Sequence, residues 1–216
     1  MKNVLDQPIY KAAEFLWIFV ILPVSFTIPY NFWIKFALTL IGLVYVIVVL
    51  FRHTHISFGI KRSIKWKRFW LHTFFKFIII SILIIGFVYW QDPAHLFYVP
   101  RHHLGLFLKM LIAYTLISVW PQEIIYRTFF FNRYGEFFSN KKLLIFVNAV
   151  IFSLAHLFFR NTLVIIITFL GGLLFAWTYF YTRSTTLASI EHAIYGNWLF
   201  TVGMGEMLGF PGMDNA

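Results

Sequence analysis

Along the 216 residues, polar positions gather in short clusters and apolar positions in long runs. Helix-length apolar runs fall at about 13–30, 32–51, 69–90, 106–132, 143–159, 163–182 and 187–205. Each is close to the ~20 residues that a helix needs to cross roughly 30 Å of hydrocarbon. "FALTLIGLVYVIVVLF" in the second run and "FFKFIIISILIIGFVYW" in the third carry the pattern most clearly. Gly and Pro inside such runs are compatible with spanning helices, because neighbouring helices satisfy the backbone groups they release. The pattern predicts an all-α fold, a polytopic membrane helix bundle of about seven transmembrane helices. It also predicts one membrane domain over 1–216, with residues 1–104 as accessory helices and 105–205 as the core.

Composition points the same way. Hydrophobic residues make up 60% of the chain and charged ones 12%, far from the usage of a soluble domain. The first apolar run follows Lys2 and Lys11, but no small-residue cleavage site comes after it, so it is expected to stay as a helix. With no cysteine, disulfides, thiolate metal sites and cysteine nucleophiles are excluded. Any metal site must draw on His, Asp, Glu or Asn.

A formal charge of +10 would suit nucleic acid, but the cations sit at the ends of the apolar runs. Arg52, Lys61, Arg62, Lys65, Lys67 and Arg68 lie between the second and third, Arg133, Lys141 and Lys142 follow the fourth, and Arg183 follows the sixth. The alternate loops hold little beyond Arg101 and Arg160. The positive-inside rule then places the amino terminus in the cytoplasm and the carboxyl terminus outside. "GIKRSIKWKRFW" reads first as a topology signal and second as a patch for anionic lipid headgroups, with no nucleic-acid partner expected.

The first three runs show almost no buried polar chemistry, and His72 and Lys76 are expected to lie near a helix end where long side chains snorkel to water. After about residue 104 polar groups appear inside the apolar runs: Glu123 and Arg127, then Asn148 and His156, then Glu191, His192 and Asn197. A charge at the centre of a membrane helix costs about 2.5–3.5 kcal/mol, so each is a candidate functional residue with a partner to be found. Glu123 and Arg127, four apart, share a helix face, where an ion pair lowers that cost; a purely structural staple would explain the two alone. His156 follows Phe152 by four on the next predicted helix. A hairpin about Ser139 and Asn140 brings Glu123 and His156 to one depth, about 15–20 Å from the cytoplasmic face, and His192 to about 13 Å, at roughly 1.5 Å per residue. An acid and two imidazoles at one level suit a catalytic zinc and its water, with the carboxylate moving the proton, whereas either histidine alone reads as a packing residue. His53, His55, His102 and His103 read as loop positions. Gly171 and Gly172 in "FLGGLLFAW" read as a place where a neighbouring helix packs closely, and "GMGEMLGFPGMDNA" as a loop and a frayed tail.

"QEIIYR" at 122–127, "FSLAH" at 152–156 and "EHAIYGN" at 191–197 resemble, in order and spacing, the three motifs of the CPBP family of intramembrane metallo-endopeptidases. That family includes the CAAX prenyl proteases and bacteriocin-immunity proteins, and its pattern is E-E-x-x-x-R, F-x-x-x-H and H-x-x-x-N. The resemblance spans about 105–205. It implies a site opening to the cytoplasm, in which a glutamate activates water while histidines and an asparagine hold that water or a divalent metal, zinc for such ligands. By position it assigns Glu123, Arg127, Phe152, His156 and His192, with His156, His192 and Asn197 as the metal set. Two departures stand out. Gln122 replaces the first acid, so either Glu123 becomes the base after a small helix rotation at Pro121 or the site is inactive. Gly196 occupies the fourth place after His192 and Asn197 the fifth, about 140° round the helix, with Glu191 as another carboxylate nearby.

The expected function is a metal-dependent endopeptidase acting on a membrane-associated peptide, with a CAAX-type prenylated protein as one such substrate, in a bacterial cytoplasmic membrane. The alternative is an inactive member serving as an immunity or scaffold protein. A small transporter also uses buried Glu, His and Arg, but no matching pair of broken half-helices is visible.

Overall fold

The computed structural model describes residues 4–53 and 65–208, and among these the chain is helical with no strand. The helices are α1 (Pro8–Ser25), α2 (Phe32–His53), α3 (Trp66–Gln91), α4 (Tyr98–His102), α5 (Leu104–Arg133), α6 (Lys141–Leu154), α7 (Thr162–Thr182) and α8 (Thr185–Val202). The sequence predicts seven spans; six segments are long and apolar enough to cross a membrane, α6 counting together with the turn to Phe159. The expected seventh is present as α8, but Glu191, His192 and Asn197 on only 18 residues leave it short of that apolarity. Lys61, Arg62 and His55 of the expected basic loop, and the tail from Gly209 onward, lie outside the described residues.

Local chemistry sets the boundaries. Pro8 opens α1, where its missing N–H costs nothing, and Pro29 disfavours helix in the residue before it, so α1 runs earlier than the predicted 13–30. Asn140 caps α6, its side-chain oxygen accepting from the amides of Lys142 and Leu143 at 2.9 and 3.3 Å, and Asn161 does the same for α7. In α5 the helix widens to i→i+5 turns over Tyr114–Val119 and Ile124–Phe129, on either side of Pro121. The proline supplies no donor to the helical ladder, and its ring crowds the carbonyl four residues back.

The chain packs as two units, and the division runs through α5. The first unit comprises residues 1–58 and 122–185. Its core is aromatic: Phe19, Phe129 and Phe130 are fully enclosed, with Tyr126 and Tyr134 edge-on to Phe19 and Phe15 tilted against Phe19 and Phe130. Here α6 and α7 meet closely, since a Cβ on Gly172 would stand 3.0 Å from the Cα of Ala149. The second unit comprises residues 59–121 and 186–216. Its core joins Val99, Phe107, Met110 and Phe200. α8 ends at Gly203, whose φ of +103° and 2.3 Å approach of a would-be Cβ to the His95 carbonyl leave room for glycine alone. Large apolar side chains such as Ile41, Leu83 and Ile117 face outward along the long helices, which suits lipid and not water.

The structure corrects the reading that the first three spans carry almost no buried polar chemistry. Glu14 of α1 is buried, and its carboxylate accepts from Arg133 Nε at 2.7 Å, from the Tyr134 hydroxyl at 2.8 Å and from the Tyr45 hydroxyl. Arg133, expected as a topology charge, instead donates into this cluster and to the Leu5 carbonyl. Burial, with the Glu14 charge adding to it, pushes the Tyr134 phenol well above its ordinary range.

Candidate functional site

In the first unit, the wide turn Ile124–Phe129 carries Arg127 inward from the helix that presents Glu123, and both side chains are completely buried. Arg127 Nε stands 3.4 Å from Glu123 Oε2, and its Nη1 donates to Asn148 Oδ1 of α6 at 2.9 Å. Asn148 in turn donates from Nδ2 to the Tyr126 carbonyl, taking up a backbone acceptor inside the widened turn. The guanidinium lies over the Phe152 ring, 4.6 Å from its centre, a placement that favours a desolvated cation. Asn148 was visible in the sequence as a lone polar residue in an apolar run; its bond to Arg127 makes it the clamp of the ion pair.

His156 was expected on the helix one turn after Phe152. α6 instead stops at Leu154, and His156 sits in the turn that follows, with φ −102°. Its Nδ1 lies 2.8 Å from the Phe152 carbonyl, one of the acceptors a helix end leaves over, so the ring bends back against Phe152 at 4.9 Å between centres. A carbonyl only accepts, so in this contact Nδ1 carries the proton. Glu123, Arg127, Asn148, Phe152 and His156 thus form one connected series within the first unit, and Gln122 is half-buried next to Glu123.

His192, Asn197 and Glu191 belong to the second unit. His192 Nε2 is 3.1 Å from the Tyr114 hydroxyl, and Asn197 Nδ2 donates to Thr115 Oγ1 at 3.0 Å, so the two side chains take consecutive residues of α5 as partners. Glu191 is fully buried and pairs with Lys76, while the Tyr195 hydroxyl lies 2.9 Å from the same carboxylate. Lys76, expected to snorkel, is therefore the countercharge of Glu191. Tyr114, Thr115 and Tyr195 carried no signal in the sequence, where they read as ordinary members of apolar runs.

Residues 103–198 match the family model described as type II CAAX prenyl endopeptidase Rce1-like. Over this stretch the chain is similar to that model, which supports membership of the CPBP family. The matched stretch takes in Tyr114, Gln122, Glu123, Arg127, Asn148, His156, Glu191, His192 and Asn197, while Glu14 and Lys76 lie before it. Neither a curated protein nor a solved structure matches the chain. The matched family is one of CAAX-protease-type intramembrane endopeptidases, and six helices long and apolar enough to cross a membrane agree with an integral membrane protein of that kind.

The donor set that the sequence suggests for zinc is His156, His192 and Asn197. Among the described residues no three His, Cys, Asp or Glu side chains gather as a metal ion needs, and each unit contributes one imidazole of that set. Within either unit taken by itself the residues do not complete a zinc site.

Proposed function

We propose that this protein, as a CPBP-type peptidase, cleaves a peptide bond of a membrane-associated protein or peptide, with Glu123 as the group that takes a proton from the attacking water. The observation that carries the reading is the enclosed Glu123–Arg127–Asn148 constellation. Burying two charges in a membrane helix is costly, and a separation of 3.4 Å is longer than the ~2.7–2.9 Å of a tight charge-assisted bond. Arg127 is therefore proposed as the countercharge that orients the Glu123 carboxylate. An ionised Glu123 accepts the proton of water as the oxygen attacks the carbonyl carbon, and returns it to the departing amine nitrogen. His156 and His192 are each proposed to orient water or substrate, and Gln122 and Asn197 are proposed as further polar residues of the reaction. Imidazole is also a ligand that zinc favours, and dependence on a divalent metal remains part of the proposal. A CAAX-type prenylated protein is the substrate class that the family suggests, and the basic loop is proposed to rest on anionic headgroups.

Gln122 favours a second reading, an inactive member that binds a peptide as an immunity or scaffold protein, because an amide cannot serve as base. Purified protein in liposomes, supplied with a membrane-anchored peptide and divalent metal, separates the two. Cleavage by the wild type that is lost in His156→Ala and His192→Ala supports the peptidase; equal cleavage by all three overturns these roles. Peptide binding with no cleavage at all supports the scaffold.

A further inference from the structure

His192 and Gly196 are four residues apart on α8 and therefore share a helix face. A Cβ built on Gly196 would meet the Tyr114 hydroxyl oxygen at 2.0 Å and Cε1 and Cζ of the same ring at 2.5 Å. The phenol of Tyr114 thus occupies the volume that any side chain at 196 would take. It is not idle there: its oxygen lies 3.1 Å from His192 Nε2, and its ring meets that imidazole edge-on at 6.0 Å between centres. The ring is braced from the other side by Phe200, at 4.8 Å and 79°. Tyr114 is also the first residue of the wide turn before Pro121, so the altered helix geometry sets the direction of its side chain.

We infer that Tyr114 is a positioning residue for His192, delivering from α5 the polar group that a side chain at 196 would otherwise deliver from α8, and that Gly196 is glycine to admit it. This rests on the proposal that His192 takes part in the reaction. Groups that orient a working imidazole through a hydrogen bond typically matter by about 10- to 100-fold in activity. The arrangement also explains why a polar residue is missing one turn after His192 while Asn197 is turned to Thr115.

The test is a compensation experiment with the full-length protein in liposomes. Tyr114→Phe keeps the ring and removes the hydroxyl; turnover is expected to fall about 10- to 100-fold with KM unchanged. Gly196→Asn alone is expected to abolish turnover and lower the thermal midpoint, because its side chain meets the phenol. Tyr114→Ala/Gly196→Asn opens the space and places an amide one turn from His192, and is expected to turn over at least tenfold faster than Tyr114→Ala. Wild-type turnover in Tyr114→Phe, or a double variant no better than Tyr114→Ala, overturns the inference. Should the wild type cleave nothing, the peptidase reading fails and this one is still decided by nitrogen-15 spectra of labelled histidine. A selective shift of the His192 ring nitrogens in Tyr114→Phe supports the pairing, and an unchanged His192 signal overturns it.

Discussion

Replacing Arg127 by Met removes the countercharge of Glu123 while keeping an unbranched apolar chain of similar length at a completely buried position. Two unit charges 3.4 Å apart attract by roughly 5 kcal/mol at an effective dielectric of about 20, which offsets much of the cost of burying them. Arg127→Met is therefore expected to destabilise the fold by about 3–5 kcal/mol, since breaking a buried pair strands the remaining charge. Glu123→Gln strands the guanidinium in the same way. The double variant removes both charges, so its loss should fall short of the sum of the single losses by at least ~2 kcal/mol, whereas an exposed i,i+4 pair couples by only about 0.3–0.5 kcal/mol. The lost bond to Asn148 enters both Arg127 arms and cancels from the cycle. Denaturation in mixed micelles by increasing dodecyl sulfate, followed by helical circular dichroism, gives the four stabilities. Additivity within ~0.5 kcal/mol would refute the claim that the two charges sustain one another inside the protein.

Other substitutions probe the rest of the framework by the same unfolding measurement. Glu14→Ala leaves Arg133 buried without that carboxylate and should cost about 3–5 kcal/mol; a loss below ~1 kcal/mol would show the cluster to be incidental. Lys76→Ala takes the cation from the fully buried Glu191 and should cost about 1.5–3 kcal/mol, and Lys76→Ala/Glu191→Gln should recover part of it; no recovery would argue against the pairing. Gly172→Ala forces a methyl against the Ala149 backbone at 3.0 Å and should cost about 1–3 kcal/mol, while an unchanged midpoint would mean that α6 and α7 separate easily.

The helices were legible because long apolar runs have one solution in lipid, and the motif residues were legible because charge and imidazole are rare inside such runs. Helix ends depended on finer signals. His156 reads as helical by spacing, yet its own side chain takes up a carbonyl left over at the end of α6, which shortens the helix by one turn. Glu14 and Lys76 were hidden for a different reason: each was judged from its own run, while their partners Arg133 and Glu191 lie 119 and 115 residues away. Pairing at such range has no periodic signature. Tyr114 is harder still, being one of 11 tyrosines in a chain where aromatic residues make up 22%. The visible hint was a glycine where a polar residue was expected, and only coordinates show what fills the space.

The assignment of Glu123 as the proton acceptor is tested most directly by the turnover of a membrane-anchored peptide in liposomes by wild type, Glu123→Gln and Gln122→Glu. The account predicts cleavage by the wild type, a loss of about 100-fold or more in Glu123→Gln, and activity at least equal to wild type in Gln122→Glu. Cleavage by Glu123→Gln at the wild-type rate would contradict it.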